Sequence, residues 1–109
     1  MQNTIEDIKE MIQKNISLNE SSKTKLLDLL ETLKPEMQKL ASVQAEQAKS
    51  VAEYIKRSTQ EALRQQNDPA LLKKHNDSLL DSVRSFETSH LQLVENVNSI
   101  ATALANIGI

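Results

Sequence analysis

The chain has 109 residues, of which 39% are hydrophobic and 26% are charged, and its formal net charge is −2. This is the composition of one ordinary globular domain over residues 1–109, which excludes a disordered tail, and the charge gives no basic footprint for nucleic acid. The absence of cysteine excludes disulfides, thiolate metal sites and cysteine nucleophiles, and it fits a cytoplasmic address. No apolar stretch has the length of a membrane span.

Glycine is almost absent, since Gly108 is the only one, and the two prolines are Pro35 and Pro69. Glycine is the residue that allows tight turns and close backbone approach to a ligand, so its scarcity predicts an all-α chain with few loops. Catalytic and cofactor sites usually lie on loops over a rigid scaffold. We therefore expect a protein that is not an enzyme and that holds no cofactor and no metal.

The N-terminal half predicts a short helix over residues 4–15 and a long helix over residues 20–66, capped by Ser17 or Asn19. Proline inside a helix removes a backbone donor and costs roughly 3 kcal/mol, so Pro35 predicts a kink or a short break. The first part of the long helix carries a heptad seam of large apolar side chains: Leu26, Leu30, Leu33, Met37 and Leu40.

Small residues replace large ones in the second part of this helix. Gln44, Gln47 and Ser58 occupy positions where the heptad seam would need apolar side chains. Small side chains bury little area and stabilise little, so this stretch is the weakest part of the predicted core. The helical stripe that remains consists of Ala41, Ala45, Ala48, Ala52, Ile55 and Ala62.

Residues 65–69 contain the clearest turn signal in the chain. Asp68 is a strong N-cap and Pro69 suits the first helical position, so a third helix is predicted over residues 69–106, with Gly108 at its C-terminal end. A break near His90 is the alternative to one continuous helix. The apolar seam of this helix supplies the candidate interface residues: Leu72, Leu79, Val83, Phe86, His90, Leu93, Val97, Ile100 and Leu104.

A continuous helix over residues 69–106 would be about 57 Å long. The expected architecture is therefore an elongated, coiled-coil-like antiparallel hairpin with a short N-terminal helix. Such a hairpin leaves its seam exposed, so we expect a homo-oligomer, most simply a dimer, that completes a helical bundle.

Three polar features of the sequence are candidate sites. Glu87 and His90 share a helix face and could form half a metal site, but metal sites need three or four ligands, so a packing role for His90 is favoured. Asn76 lies on the seam, where it could fix helix register or else face solvent. A basic cluster near the hairpin tip could bind phosphate or an acidic partner, although a solvated, charge-balanced surface is favoured: Lys56, Arg57, Arg64, Lys73 and Lys74.

The stretch Phe86-Glu87-Thr88-Ser89-His90-Leu91-Gln92-Leu93, followed by Ala103-Leu104-Ala105-Asn106-Ile107-Gly108-Ile109, resembles a family of short bacterial proteins that form a domain of unknown function. Those chains end in Phe-Glu-x-x-His-Pro-x-Leu and then Ala-Leu-Ala-x-Met-Gly-Ile. Leu91 stands here where the family usually has proline. The resemblance implies a bacterial, soluble, helical protein and brings no known activity.

The leading functional hypothesis is self-association and protein–protein interaction of the scaffold or adaptor type. One alternative is an amphipathic protein that lies on membranes or hydrophobic granules through the Ala41–Ala62 stripe or the seam of the third helix. The other is a chaperone or adaptor whose alanine-rich groove receives a partner helix. The neutral C-terminal region after Arg84, whose only charged residues are Glu87 and Glu95, is the predicted buried surface.

Overall fold

Five α-helices and one 3-10 turn make up most of the computed structural model, which describes residues 2–64 and 66–107, with side chains from residue 4 onward. The all-α fold class predicted from the sequence is confirmed. The 3-10 turn spans Arg84–Phe86, and the helices are α1 (Gln2–Lys14), α2 (Glu20–Val43), α3 (Ala45–Leu63), α4 (Pro69–Val83) and α5 (Leu91–Ile107).

Two of the predicted helix starts are formed by the expected caps. The Asn19 side chain accepts a hydrogen bond from the Ser22 backbone N–H at 2.8 Å, which satisfies one free donor at the start of α2. The Asp68 side chain likewise accepts from the first-turn backbone of α4, and Pro69 is the first residue of that helix. The predicted role of Gly108 at the C-terminal end lies outside the described residues.

The predicted helix over residues 20–66 is interrupted at Gln44 rather than at Pro35. Helix α2 continues through Pro35, whose side chain is exposed. A proline on the outer face leaves the unpaired carbonyl of the preceding turn open to water, so the helix tolerates it.

Gln44 instead takes φ −142° and ψ 72°, and the chain folds back there into α3. Residues 42–47 are all exposed, as expected for a corner where the heptad seam has lost its apolar side chains.

The predicted helix over residues 69–106 is also divided. Helix α4 ends at Val83, the 3-10 turn follows, and α5 begins at Leu91, so the alternative break near His90 is the one observed. The His90 backbone N–H donates to the Phe86 carbonyl at 2.8 Å, and the two rings meet edge to face with centroids 5.9 Å apart. This corner lets α5 fold back on α4, which buries both halves of the seam.

Cross-helix contacts fix the direction of the first three helices. The Lys34 ammonium pairs with Glu6 at 2.9 Å, and Lys9 pairs with Glu31, so α1 and α2 are antiparallel. Lys56 pairs with Asp7 at 3.9 Å, and the Asn15 side chain donates to the α3 backbone at 3.4 Å, so α1 and α3 are parallel. Helices α4 and α5 continue the alternation, since each folds back on the helix before it.

The described chain is compact, with a radius of gyration of 12.9 Å and extents of 37 × 24 × 19 Å. This corrects the expected elongated hairpin, because each of the two long predicted helices folds back on itself. Side chains of all five helices form one continuous hydrophobic core. The seam that was expected to need a second copy is thus covered within a single chain.

A buried carboxylate holds the turn between α3 and α4. The Asp68 backbone N–H donates to Glu61 Oε2 at 2.8 Å, and Arg64 Nη1 donates to Glu61 Oε1 at 2.8 Å. The Asp68 hydrogen bond, followed by the hydrogen bond and charge of Arg64, holds the pKa of Glu61 below its ordinary value against the opposing effect of burial. Ionised Glu61 therefore stabilises the fold.

The pH dependence of stability tests this role. Because the pKa of Glu61 is lower in the folded state than in the unfolded state, its ionised carboxylate contributes its full stabilisation at pH values above the ordinary glutamate pKa of about 4.3. That contribution is lost as the pH falls through the pKa of Glu61 in the folded state. Glu61→Gln should lower the thermal midpoint at neutral pH, and its deficit relative to wild type should shrink below about pH 4. Circular dichroism melts across this range measure the difference.

Glu87→Gln is the matched control, because Glu87 is exposed and makes no ion pair within residues 2–64 and 66–107. Its melting profile should follow that of wild type at every pH. A deficit in Glu61→Gln that stays constant with pH would contradict the proposed role of the charge.

Two neighbouring leucines test the single-chain core. Leu93 is 0% exposed and Leu91 is 55% exposed. Leu93→Ala should cost about 2–5 kcal/mol of unfolding free energy in urea, while Leu91→Ala should stay within about 0.5 kcal/mol of wild type. Because the core lies within one chain, the cost in Leu93→Ala should not depend on protein concentration, and a cost that vanishes on concentrating the protein would refute this.

Candidate protein-binding groove

A groove runs between α4 and α5, which lie side by side. It is open to solvent and has a volume of about 380 Å³, within the size range of ligand-binding pockets. The α5 side of the groove is formed by Ala101, Thr102 and Ala105, and small side chains at this spacing leave room for a neighbouring chain to approach closely. On the α4 side the apolar floor comes from Pro69, Leu72 and Leu80.

Asn76 is the buried polar residue of this groove. Its side chain is 8% exposed, and Nδ2 donates to the Ala101 carbonyl at 3.2 Å, which ties α4 to α5. Its Oδ1 atom has no hydrogen-bond partner among the described residues. A buried acceptor without a donor costs about 1–3 kcal/mol, so the unpaired Oδ1 atom lowers the stability of the fold.

The rim of the groove is electrically balanced. Lys73 pairs with Asp77 at 2.9 Å on the α4 side, and the exposed Thr102 forms the α5 side. The ion pair is exposed and therefore contributes little to stability. The groove thus presents a neutral, largely apolar surface to a partner.

The outer surface of α5 is poor in charge. Glu95 is the only charged residue among the 17 residues of α5. By contrast, charged residues make up five of 13 in α1, eight of 24 in α2 and six of 19 in α3. Because the remaining exposed positions of α5 are polar but neutral, apart from Leu91, this helix differs from the solvated faces of the other helices.

Comparison with known proteins gives a family match over most of the chain. The model of a domain of unknown function, DUF4404, matches residues 26–109. The chain belongs to the DUF4404 family. Neither the curated proteins nor the solved structures give a significant match.

The DUF4404 match starts within α2 and includes α3, α4 and α5, so the groove lies wholly inside the family region. The resemblance seen in the sequence to an uncharacterised domain family is confirmed at this level. Within the described residues, no helix is both long enough and apolar enough to cross a membrane.

Most of the predicted interface residues of the DUF4404 domain lie in its own core. His90 is partly buried at the corner before α5, where it packs against Phe86. Eight of the nine candidates are buried within the single chain: Leu72, Leu79, Val83, Phe86, Leu93, Val97, Ile100 and Leu104. The seam therefore forms the core of the chain, and Leu72 is the one of these eight residues that also lines the groove.

The side chains of the predicted basic cluster contact different neighbours and do not form one site. Lys56 pairs with Asp7, and Arg64 pairs with Glu61. Arg57 lies over the Tyr54 ring at 5.6 Å from the centroid.

In the part of the chain that the structure describes, no group of three or more acidic or histidine side chains could hold a metal ion.

The groove residues Ala101 and Ala105 were not singled out by sequence reasoning. Their spacing of four residues on a helix without neighbouring charges is the signal that could have indicated them. Asn76 had been identified, and the alternative in which it faces solvent is excluded by its burial.

Substitutions of Asn76 test its environment. In Asn76→Asp, a carboxylate would face the Ala101 carbonyl with no donor between them, so the unfolding free energy at neutral pH should fall by about 1–3 kcal/mol. Part of this loss should return at lower pH, because a protonated carboxyl can donate to that carbonyl.

Asn76→Leu is the uncharged comparison, since it removes the unpaired oxygen as well as the donor. Its unfolding free energy should lie closer to that of wild type and should not rise on acidification relative to wild type. Equal loss in the two variants at all pH values would show that the site does not discriminate against charge.

Proposed function

We propose that this DUF4404 chain is a small, non-enzymatic interaction module of the scaffold or adaptor type, which self-associates through α4 and α5. The contact surface is the groove between these helices together with the outer surface of α5. The observation that carries the proposal is the single charged residue in α5, next to an apolar groove on the same helix.

Depletion of charge is the compositional mark of the centre of a protein interface. Removing a charged side chain from water is costly unless it finds a partner, so surfaces that become buried tend to lack charge. Neutral amide and hydroxyl side chains on α5 can instead exchange hydrogen bonds with water for hydrogen bonds with a partner.

A second copy of the chain is the occupant that best suits this surface. In a two-fold dimer the same patch meets itself, so a patch of one charge sign would repel its copy. The charge-poor surface of α5 avoids this repulsion, and the small side chain of the partly exposed Ala105 lets two helices approach closely. A dimer is therefore the expected state, with the groove of each copy covered by the other.

A helix from a different protein is the alternative occupant, as in the chaperone or adaptor hypothesis. The surface-binding hypothesis receives less support, since the faces considered for lipid are already used in packing. The seam of α4 and α5 is buried, and so are Ala48, Ala52, Ile55 and Ala62 of the alanine-rich stripe.

The proposal includes a location in the bacterial cytoplasm, which is supported by the absence of cysteine and by the C-terminal resemblance.

Sedimentation velocity from micromolar to millimolar protein concentration tests self-association. We expect a concentration-dependent dimer for wild type. Thr102→Lys places two like charges in the symmetric contact while the side chain stays exposed in the monomer. The dimer dissociation constant should therefore rise by at least about tenfold.

Thr24→Lys is the matched control, because Thr24 is an exposed threonine on α2, outside the residues that line the groove. It should dimerise as wild type does. A wild-type monomer over the whole concentration range would refute self-association, and capture of a defined partner that Thr102→Lys abolishes would assign the groove to a different protein.

A further inference from the structure

A second cavity lies on the opposite flank of α5. It is half open to solvent and has a volume of about 480 Å³, and it lies where the connection between α1 and α2, the end of α3 and the end of α5 meet. Residues 103, 106 and 107 of α5 line this cavity, whereas residues 101, 102 and 105 line the groove. The last two turns of α5 therefore form the wall between the two.

The chemistry of this cavity differs from that of the groove. Most of the described residues that line it are polar, and none of them is acidic. Lys25 and Arg64 supply positive charge from α2 and from the end of α3. Arg64 shares its charge with Glu61, while Lys25 makes no ion pair in the described part of the chain. Because Glu61 offsets the charge of Arg64, the net positive charge of the lining comes from Lys25.

Two asparagines of the cavity wall are held in place by the backbone. Asn15 Oδ1 accepts from the Ser17 and Leu18 backbone N–H groups at 3.0 and 2.9 Å. Asn67 Nδ2 donates to the Ala62 carbonyl at 3.3 Å. These bonds hold residues 15–18 and Asn67 in place, so this part of the lining is ordered before any ligand arrives, and the ordering cost of binding falls on the exposed Lys25 and Arg64 side chains.

We propose that this cavity binds a small anionic molecule that carries a carboxylate or a phosphate group. Lys25 and Arg64 provide the electrostatic attraction, since Lys25 has no ion pair in the described part of the chain and Arg64 retains guanidinium donors beyond the Nη1 bond to Glu61. Asn106, which lines the cavity from the last turn of α5, provides an amide donor for the same group. Asn106 is exposed on α5, so the cavity adjoins the proposed dimer contact, but it does not rest on that contact. Absence of anion binding would leave the sedimentation result unchanged.

Titration with inorganic phosphate and with succinate, at constant ionic strength, tests the site in the full chain. Backbone amide NMR signals of Ser17, Ser22, Asn67 and Asn106 should shift and saturate with at least one of the two anions. Saturation with phosphate alone assigns a phosphate compound, and saturation with succinate alone assigns a carboxylate. Absence of saturable shifts at these residues with both anions overturns the proposal.

Two pairs of variants separate a defined site from general attraction of anions. Lys25→Gln removes a cavity charge and should weaken binding about fivefold, the effect of one charge near 4 Å in water. Lys49→Gln is its control, because Lys49 is an exposed lysine of α3 that does not line the cavity. Equal binding in wild type, Lys25→Gln and Lys49→Gln overturns the proposal.

Asn106→Asp adds a negative charge to the cavity and should weaken binding by a similar factor. Asn98→Asp is its control, since Asn98 is also exposed on α5 and lies outside the cavity lining. Both asparagines are exposed, so both variants should fold. Equal weakening in the two variants would show that overall charge, and not this cavity, determines binding, and would overturn the assignment.

Discussion

The fold depends on the burial of one apolar seam by its own chain. The seam runs through α4 and α5, and a straight helix over both would be about 57 Å long, so part of the seam would extend beyond the 37 Å length of the described chain. The corner at residues 84–90 folds the two halves onto each other and onto α2 and α3. Because aliphatic side chains supply nearly all of this core, burial of many leucines and isoleucines replaces the few large contacts that aromatic residues would make.

Local signals in the sequence identify the helices and several of their ends. Asn19, Asp68 and Pro69 act where they were expected to act, because capping depends on a few neighbouring atoms. The positions of the buried side chains also follow from helical spacing. The heptad seam correctly indicated which residues are buried, but it could not indicate whether the covering surface belongs to the same chain or to a copy.

The two corners were harder to predict because each involves a competition between local and distant interactions. Pro35 is a strong local helix breaker, yet it is tolerated on an exposed face, while Gln44 has ordinary helix propensity and still marks a corner. The gain at Gln44 comes from packing α3 against α1 and α2, which sequence spacing does not reveal. The groove was missed for a similar reason, since it requires α5 to lie beside α4.

The wall formed by the last two turns of α5 has a thermodynamic consequence. One short helical segment borders both the charge-poor groove and the basic cavity, and residues on its two sides alternate along the chain. If the groove and the cavity are occupied as proposed, an occupant that shifts this segment would change the affinity of the other side. Thermodynamic reciprocity would make that effect equal in both directions, so assembly would report on a small anion and the anion on assembly.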